Sequence, residues 1–223
     1  IAGFARLFGS TILLKDYEFW GPILAFSAGL TIILGNVLAE NQNNIKRMLA
    51  FSSISHAGFL LIAVVTGSLK GVMLYTAVYS LASLAAFAVL QVVMKHSGDD
   101  LLERFNGLGK RSPLLAFTLT LALLSLAGIP PTAGFFGKYY LFMQAFKTGH
   151  AWLAVIGIIG SLIGLYYYFR IIIAMYFREA PVETNETKGV PVASDLQQLL
   201  LFITSLGIIV FGLMPDLLLN MNP

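Results

Sequence analysis

The chain is 223 residues long, and 57% of its residues are hydrophobic while only 11% are charged. Soluble domains carry about 25% charged residues, so the composition excludes a soluble globular protein and indicates one that crosses a membrane several times. The net charge of +3 does not indicate a nucleic-acid-binding surface, and the absence of cysteine excludes disulfides, thiolate-ligated iron–sulfur clusters and thiol catalysis.

Apolar runs of about 20 residues, the length that spans a bilayer, follow one another along the chain. We interpret residues 1–8 as the remnant of a truncated helix and the chain as a piece of a longer protein. The later runs predict an all-α polytopic membrane protein with about six transmembrane helices, one of them broken. The predicted spans are Pro22–Leu38, Arg47–Thr66, Val72–Met94, Leu114–Phe146, Trp152–Phe177 and Leu196–Leu219.

The connections between these spans carry unequal positive charge. Alternate connections hold eight lysines and arginines, and the remaining ones hold three. The positive-inside rule therefore places the first set in the cytoplasm and the C-terminus outside. Within the cytoplasmic set, Ser97–Ser112 is predicted to form an amphipathic surface helix with Leu101, Leu102 and Phe105 facing lipid. Residues 178–195, rich in Pro, Glu and Thr, are predicted to form a cytoplasmic loop.

The segment Leu123–Phe142 is a membrane-length apolar run that is interrupted in its middle. Four residues there interrupt helical hydrogen bonding: Gly128, Pro130, Pro131 and Gly134. Free backbone groups at this depth are tolerated only if they are buried in protein or line a water-filled path. We predict a helix break at Gly128–Gly134 that admits carbonyl groups and water. The alternative is a kinked helix that serves packing alone.

Lys138 follows the break and places an amine inside the hydrocarbon layer, where an ionisable group is a functional candidate. No Asp or Glu occurs between Glu103 and Glu179, so this amine has no acidic partner on its own or the adjacent helix. We predict that Lys138 carries protons. The alternative is a lysine whose side chain extends to the interface, because Lys147, which marks the outer surface, follows little more than two turns later.

A second group of polar residues surrounds His56. Ser52 and His56 are one helical turn apart and share a face, and Ser55 flanks them. Their hydroxyl and imidazole groups could hold water and relay protons, and the alternative is a structural histidine bonded to a serine or a carbonyl. Lys46 lies ten residues earlier, about 15 Å along an unbroken helix. It is a further proton-transfer candidate or else a cytoplasmic anchor.

Polar residues recur at three- and four-residue spacing on the next helix, at Thr76, Tyr79, Ser80 and Ser83. Tyr79 and Ser83 are candidates to line the same path, and interhelical hydrogen bonding is the alternative. Further along, three consecutive tyrosines, Tyr166–Tyr168, cannot all point at headgroups.

Three segments together resemble a known family. They are NNIKRMLAFSSISHAGFLLIA (Asn43–Ala63), LLSLAGIPPTAGFFGKYYLF (Leu123–Phe142) and SLIGLYYYFRI (Ser161–Ile171). They are similar to the antiporter-like membrane subunits of respiratory complex I, the proton-pumping NADH:quinone oxidoreductase. The SISH motif at residues 53–56 and the GKYY motif at 137–140 favour the bacterial N-type members, the counterparts of mitochondrial subunit 2, over the L and M types.

The resemblance implies that residues 20–177 form the second of two five-helix units and that 196–223 hold the final transmembrane helix and the C-terminus. It implies a multi-pass protein of the bacterial inner membrane, surrounded by lipid and by K- and M-type membrane subunits. Lys138, Lys46 and His56 would transfer protons. FMN, iron–sulfur clusters and quinone would lie in other subunits, and this chain would hold no cofactor or metal.

Two other functions are compatible with the same residues. One is a subunit of an Mrp-type cation/proton antiporter, which shares the broken helix and its lysine. The other is a structural membrane subunit that packs against its neighbours without transporting protons.

Overall fold

The computed structural model describes residues 17–180 and 191–219, which form helices and connecting loops with no strand among them. The predicted helix remnant at 1–8 and most of the predicted loop at 178–195 lie outside the described residues. In chain order the helices are α1 (Tyr17–Glu40), α2 (Ile45–Val65), α3 (Leu69–Ser97), α4 (Leu108–Arg111), α5 (Pro113–Ala127), α6 (Ala133–Lys147), α7 (Ala151–Phe177), α8 (Asp195–Leu213) and α9 (Asp216–Leu219).

The predicted all-α polytopic membrane fold is confirmed. Five described helices are long and apolar enough to cross a bilayer: α1, α2, α3, α7 and α8. Helices α5 and α6 have 15 residues each, or about 22 Å at 1.5 Å per residue, which is less than the roughly 30 Å of hydrocarbon. The two half-helices therefore cross the membrane together, as the sixth transmembrane element.

Helix α2 lies at the centre of the bundle and contacts α1, α3, α6 and α7. Of its most apolar stretch 67% is buried, against 28% for the peripheral α8. Glycines bring α1 and α2 into backbone contact, because a Cβ atom on Gly35 would lie 2.5 Å from the Ser55 nitrogen and one on Gly58 would lie 2.9 Å from the Ala28 carbonyl oxygen. The polar face of α2 is thus surrounded by protein.

Polar caps fix where several helices begin. The Asn44 side chain accepts a hydrogen bond from the Arg47 amide at the start of α2, and Ser68 does the same for the Gly71 amide at the start of α3. Ser194 and Gln197 form a capping box that starts α8. These bonds satisfy amides that have no partner within the helix, and the three capped helices each start within three residues of the predicted boundary.

The final predicted span is wrong at its end. Helix α8 stops at Leu213, and a separate short helix, α9, follows at Asp216–Leu219. Pro215 explains the interruption, since a proline disfavours helical backbone in the residue before it. Met214 accordingly leaves the helical conformation, with φ −124° and ψ 66°.

The predicted amphipathic surface helix at Ser97–Ser112 is also wrong. The segment forms a 3-10 turn at Leu102–Phe105 followed by the four-residue α4, with Gly107 at a positive φ of 66° between them. Leu102 and Phe105 are buried in the protein core, and Phe105 is 0% exposed, so neither faces lipid. Only Leu101 is exposed, as expected.

This segment connects the loops at one end of the bundle. The Ile45 amide donates to the Asp100 carbonyl and the Leu102 amide donates to the Asn43 carbonyl, both at 2.9 Å. Beside these bonds Arg104 pairs with Asp99 at 2.8 Å, and its hydrogen bonds hold the pKa of the Asp99 carboxyl below the usual value. The pair is partly exposed and contributes at most about 1 kcal/mol. Burial of Leu102 and Phe105 therefore stabilises the position of this segment more than the ion pair does.

Helix α8 packs directly on the break between α5 and α6. A Cβ atom on Gly212 would lie 2.0 Å from the Pro131 carbonyl oxygen, and Ser205 donates to the Thr118 hydroxyl at 3.2 Å. Helix α8 therefore covers the unwound backbone, which would otherwise contact lipid.

Replacing Gly212 by alanine should push α8 away from the break and destabilise the protein by about 1–3 kcal/mol. The matched control is Gly207→Ala on the same helix, where the new methyl group meets the flexible end of Leu81. Thermal unfolding of the purified full-length protein measures both. Equal unfolding temperatures for the two variants would contradict close contact between α8 and the break.

Candidate functional site

The helix break lies where the sequence predicts it. Helix α5 ends at Ala127 because Gly128 adopts a left-handed conformation, with φ 84°, and its amide bonds back to the Leu124 and Ser125 carbonyls. Thr132 is extended, and α6 begins at the next residue. Pro130 and Pro131 lie in the unwound stretch between the two half-helices.

The two half-helices touch beside the break. The Gly134 amide donates to the Ser125 hydroxyl oxygen at 3.1 Å. A Cβ atom on Gly134 would lie 1.7 Å from the Ser125 carbonyl oxygen, so only glycine fits at this position. Gly134, a predicted helix breaker, lies within α6 and admits the end of α5.

Lys138 projects from the second turn of α6 back towards the end of α5. Its amine donates to the Ala127 carbonyl oxygen at 3.0 Å, and the residue is only 6% exposed. Ala127 is the last residue of α5, where unpaired carbonyls give the helix end a partial negative charge. This helix end stabilises an ammonium group. The alternative prediction, a lysine whose amine extends to the membrane interface, does not fit a side chain that is buried and bonded to Ala127.

An aromatic ring and a small cavity lie beside the Lys138 amine. The Nζ atom lies 4.9 Å from the centroid of the Phe59 ring, within the range of a cation–π contact. Among the described residues, those lining the small cavity beside the amine include no carboxylate. The charge is therefore balanced by carbonyl and ring partners, whose attraction is weaker than that of a carboxylate.

His56 lies in the same cavity and is 4% exposed. Its Nδ1 atom lies 2.8 Å from the Tyr75 hydroxyl, and its Nε2 atom lies 3.3 Å from the Tyr168 hydroxyl. Its ring stacks on Tyr79 with 4.7 Å between centroids. The sequence-based alternative of a serine or carbonyl partner does not apply, because both ring nitrogens face tyrosines.

The cavity between His56 and Lys138 is small. It offers about 10 Å³ to the centre of a water molecule, which is close to the minimum for holding one water. Ser125, Tyr75 and Tyr79 line it together with His56 and Lys138. A water molecule there would lie beside both the imidazole-bearing and the amine-bearing residue.

The other residues predicted to line the path differ in whether they line this cavity. Ser52 is buried and donates to the Leu49 carbonyl, and Ser55 is buried and accepts a hydrogen bond from Asn36. Tyr79 lines the cavity, whereas Ser83 is partly buried and does not line it.

Lys46 is apart from this group. It lies in the first turn of α2 with an exposed side chain, while His56 lies ten residues further along the same helix. The structure thus brings His56 and Lys138 together and leaves Lys46 at the predicted cytoplasmic end. A role for Lys46 in proton transfer stays a prediction.

Four residues of the site were missed by sequence reasoning: Phe59, Tyr75, Tyr168 and Asn36. Helical spacing contained a signal for two of them. Tyr75 precedes Tyr79 by one turn, and Phe59 follows His56 by three residues, so each shares a face with a predicted residue. Tyr168 and Asn36 come from helices that only the tertiary structure brings to His56.

Comparisons with known proteins agree with the fold and with the family inferred from the motifs. Residues 1–164 match the family model described as NADH:quinone oxidoreductase/Mrp antiporter, transmembrane. NADH-quinone oxidoreductase subunit N of Cytophaga hutchinsonii is 47% identical over 199 residues, covering 87% of this chain and 42% of that protein. The subunit N of Trichlorobacter lovleyi is 41% identical over 208 residues, covering 90% and 41%.

Two solved structures share the architecture. A chain of respiratory complex I from Thermus thermophilus with bound aureothin has a TM-score of 0.78 and 34% identity, covering 89% of this chain and 44% of that one. A chain of the Mrp complex from Dietzia sp. DQ12-45-1b has a TM-score of 0.84 at 20% identity, covering 96% and 48%, which shows a common fold alone.

The chain belongs to the NADH:quinone oxidoreductase/Mrp antiporter transmembrane family. It is a multi-pass membrane protein whose curated relatives include N-type subunits of the oxidoreductase, as the three sequence motifs predicted. It spans about two fifths of the length of those relatives.

The burial of the site predicts a difference in chemical reactivity between lysines. An amine-acylating reagent applied to the detergent-solubilised protein should modify the exposed Lys46 and Lys147 and leave Lys138 at least about tenfold less modified, because its amine is enclosed by α2, α3 and α5. Peptide mass spectrometry quantifies each site. Similar modification of Lys138 and Lys147 would contradict the enclosed position.

Proposed function

We propose that this chain is part of a proton-translocating membrane subunit of NADH:quinone oxidoreductase, comprising its second five-helix unit and final helix. The observation that carries the proposal is the enclosed Lys138 amine, bonded to the carbonyl end of a broken helix and adjacent to His56. An amine and an imidazole can each bind and release a proton, so Lys138 and His56 are suited to proton transfer. The identities of 47% and 41% to N-type subunits support the oxidoreductase as the parent assembly.

Lys138 is the group whose charge changes during transport. Moving one proton against about 150 mV requires roughly 3.5 kcal/mol, at about 2.3 kcal/mol per 100 mV. A unit charge in a medium of effective dielectric constant about 20 supplies that energy at a distance of about 5 Å and only about 1 kcal/mol at 15 Å. The group that drives Lys138 must therefore come close to it.

This magnitude assigns different tasks to the two lysines. Lys46 lies ten residues from His56, about 15 Å along the helix axis. Lys138 lines the same cavity as His56, so the charge of Lys46 alone is too distant to drive proton release from Lys138. We assign Lys46 the task of delivering protons from the cytoplasmic side. His56 transfers them towards the cavity, and Lys138 holds each proton until a nearby charge change releases it outward.

The electron-transfer chemistry is assigned to other subunits of the assembly. The sequence contains no cysteine, so the chain supplies no thiolate ligands for iron–sulfur clusters. FMN, the clusters and quinone would be held elsewhere, and this subunit would contact K- and M-type neighbours through its apolar outer helices. The orientation follows from the loop charges, with the C-terminus on the outer side of the bacterial inner membrane.

An Mrp-type antiporter subunit is the second candidate, since the family includes such proteins and the fold matches one of them. Purification of the native full-length protein distinguishes the two. Recovery with flavin-containing peripheral subunits supports the oxidoreductase, and recovery in an assembly without flavin supports the antiporter.

Replacing Lys138 by alanine should abolish proton transport by this subunit, because among the residues that the structure describes no other lysine lines the cavity. The measurement is proton uptake by membrane vesicles, per NADH oxidised, with assembly of the complex checked by native electrophoresis. Lys147→Ala is the matched control, an exposed lysine on the same helix. Full transport by the assembled Lys138→Ala variant would contradict the proposal and leave a structural subunit as the remaining function.

A further inference from the structure

The His56 ring is held between two tyrosine hydroxyls from different helices. Tyr75 of α3 faces Nδ1 at 2.8 Å, and Tyr168 of α7 faces Nε2 at 3.3 Å. A neutral imidazole has one N–H and one lone pair, so one of these hydroxyls accepts a hydrogen bond while the other donates one. Exchanging the two roles moves a proton from one side of the ring to the other.

We propose that Tyr168 is a proton-carrying residue, which exchanges protons with Nε2 of His56 and links the Lys138 cavity to the α7 side of α2. The proposal deepens the proposed function and rests on it. Neither the sequence motifs nor the family resemblance assigned this tyrosine a role. The inference rests on three buried residues that contact one another in a row, in the order Tyr168, His56 and Tyr75.

The transfer is balanced at every atom. A proton binds the Tyr168 oxygen while the O–H proton of that tyrosine passes to Nε2. The proton on Nδ1 passes to the Tyr75 oxygen, and the O–H proton of Tyr75 passes to a water molecule in the cavity or to the neutral Lys138 amine. Four bonds to hydrogen form, four break, no group is oxidised, and the ring finishes without a net charge.

The row continues beyond Tyr168 towards the predicted cytoplasmic end. Ser52 lies near the Tyr168 hydroxyl, one turn before His56 on α2 in the direction of Lys46, and donates its own hydrogen bond to the Leu49 carbonyl. A hydroxyl at this position can receive a proton on the cytoplasmic side of the ring, whereas Tyr75 lies on the side of the cavity. Tyr168 therefore faces the side of His56 from which protons would arrive.

A buried amide holds this part of α7 in place. The hydroxyl of Tyr167 donates to Asn36 Oδ1 at 2.9 Å, and Asn36 Nδ2 donates to Ser55 Oγ at 2.6 Å. Gly164 leaves room for the amide, because a Cβ atom there would lie 3.3 Å from Oδ1. These bonds join α7 to α1 and α2 beside Tyr168, which makes Asn36 a positioning residue for the tyrosine pair.

The three consecutive tyrosines provide their own matched control. Tyr166 is 62% exposed, while Tyr168 is 1% exposed and contacts His56. Tyr168→Phe removes one hydroxyl and keeps the ring, and Tyr166→Phe makes the same change on the outer face. Both variants are introduced into the full-length protein within its complete assembly, together with Lys138→Ala.

Proton uptake per NADH oxidised is measured in membrane vesicles. We expect Tyr168→Phe to remove about nine tenths of the uptake that Lys138→Ala removes and Tyr166→Phe to leave uptake unchanged. Normal uptake by Tyr168→Phe combined with loss in Lys138→Ala would overturn this inference while the proposed function stands. Normal uptake by both Tyr168→Phe and Lys138→Ala would overturn both.

A second measurement separates proton transfer from packing. Replacing Tyr168 by 3,5-difluorotyrosine keeps the hydroxyl and nearly the same shape but makes the phenol more acidic. If the hydroxyl carries protons, the uptake rate should change by about twofold or more, since proton-transfer rates follow the acidity of the group. An unchanged rate would overturn the proposal even if Tyr168→Phe lowers uptake, because a packing role does not depend on acidity.

Discussion

The bond between the Lys138 amine and the Ala127 carbonyl, at 3.0 Å, is the interaction on which the site depends. It is possible only because the helix is interrupted, since a carbonyl inside a continuous helix is already bonded to an amide four residues later. The interruption in turn needs Gly128 at a positive φ and Gly134 against the Ser125 carbonyl. A cation can be held in the membrane here because the free end of α5 takes the place of a carboxylate.

The rest of the bundle protects this interaction from lipid and orients its neighbours. Helix α8 covers the unwound backbone at Gly212, and central α2 supplies Phe59 and His56 on one face. His56 and Lys138 both contact the Phe59 ring. They also line the same cavity, which has room for about one water.

The end of the bundle at which α2 begins differs from its centre. Loop residues there are joined by backbone bonds and by buried apolar side chains such as Phe105, and Arg170 of α7 donates to the Gln42 carbonyl in the α1–α2 loop. This fixes the end of α2 on which Lys46 is exposed.

The sequence by itself determined the membrane class, the six crossings, the helix break and the lysine beside it, because length, hydropathy, glycine and proline act locally. It did not determine which side chains meet. Helices that are apolar all round carry little periodicity to indicate their inward face, so Tyr168 and Asn36 could not be assigned to the site, and Leu102 and Phe105 were wrongly assigned to lipid. Only the packing of α1, α3 and α7 around α2 decided that His56 faces two tyrosines, since the rotation of each helix depends on contacts with residues far away in the sequence.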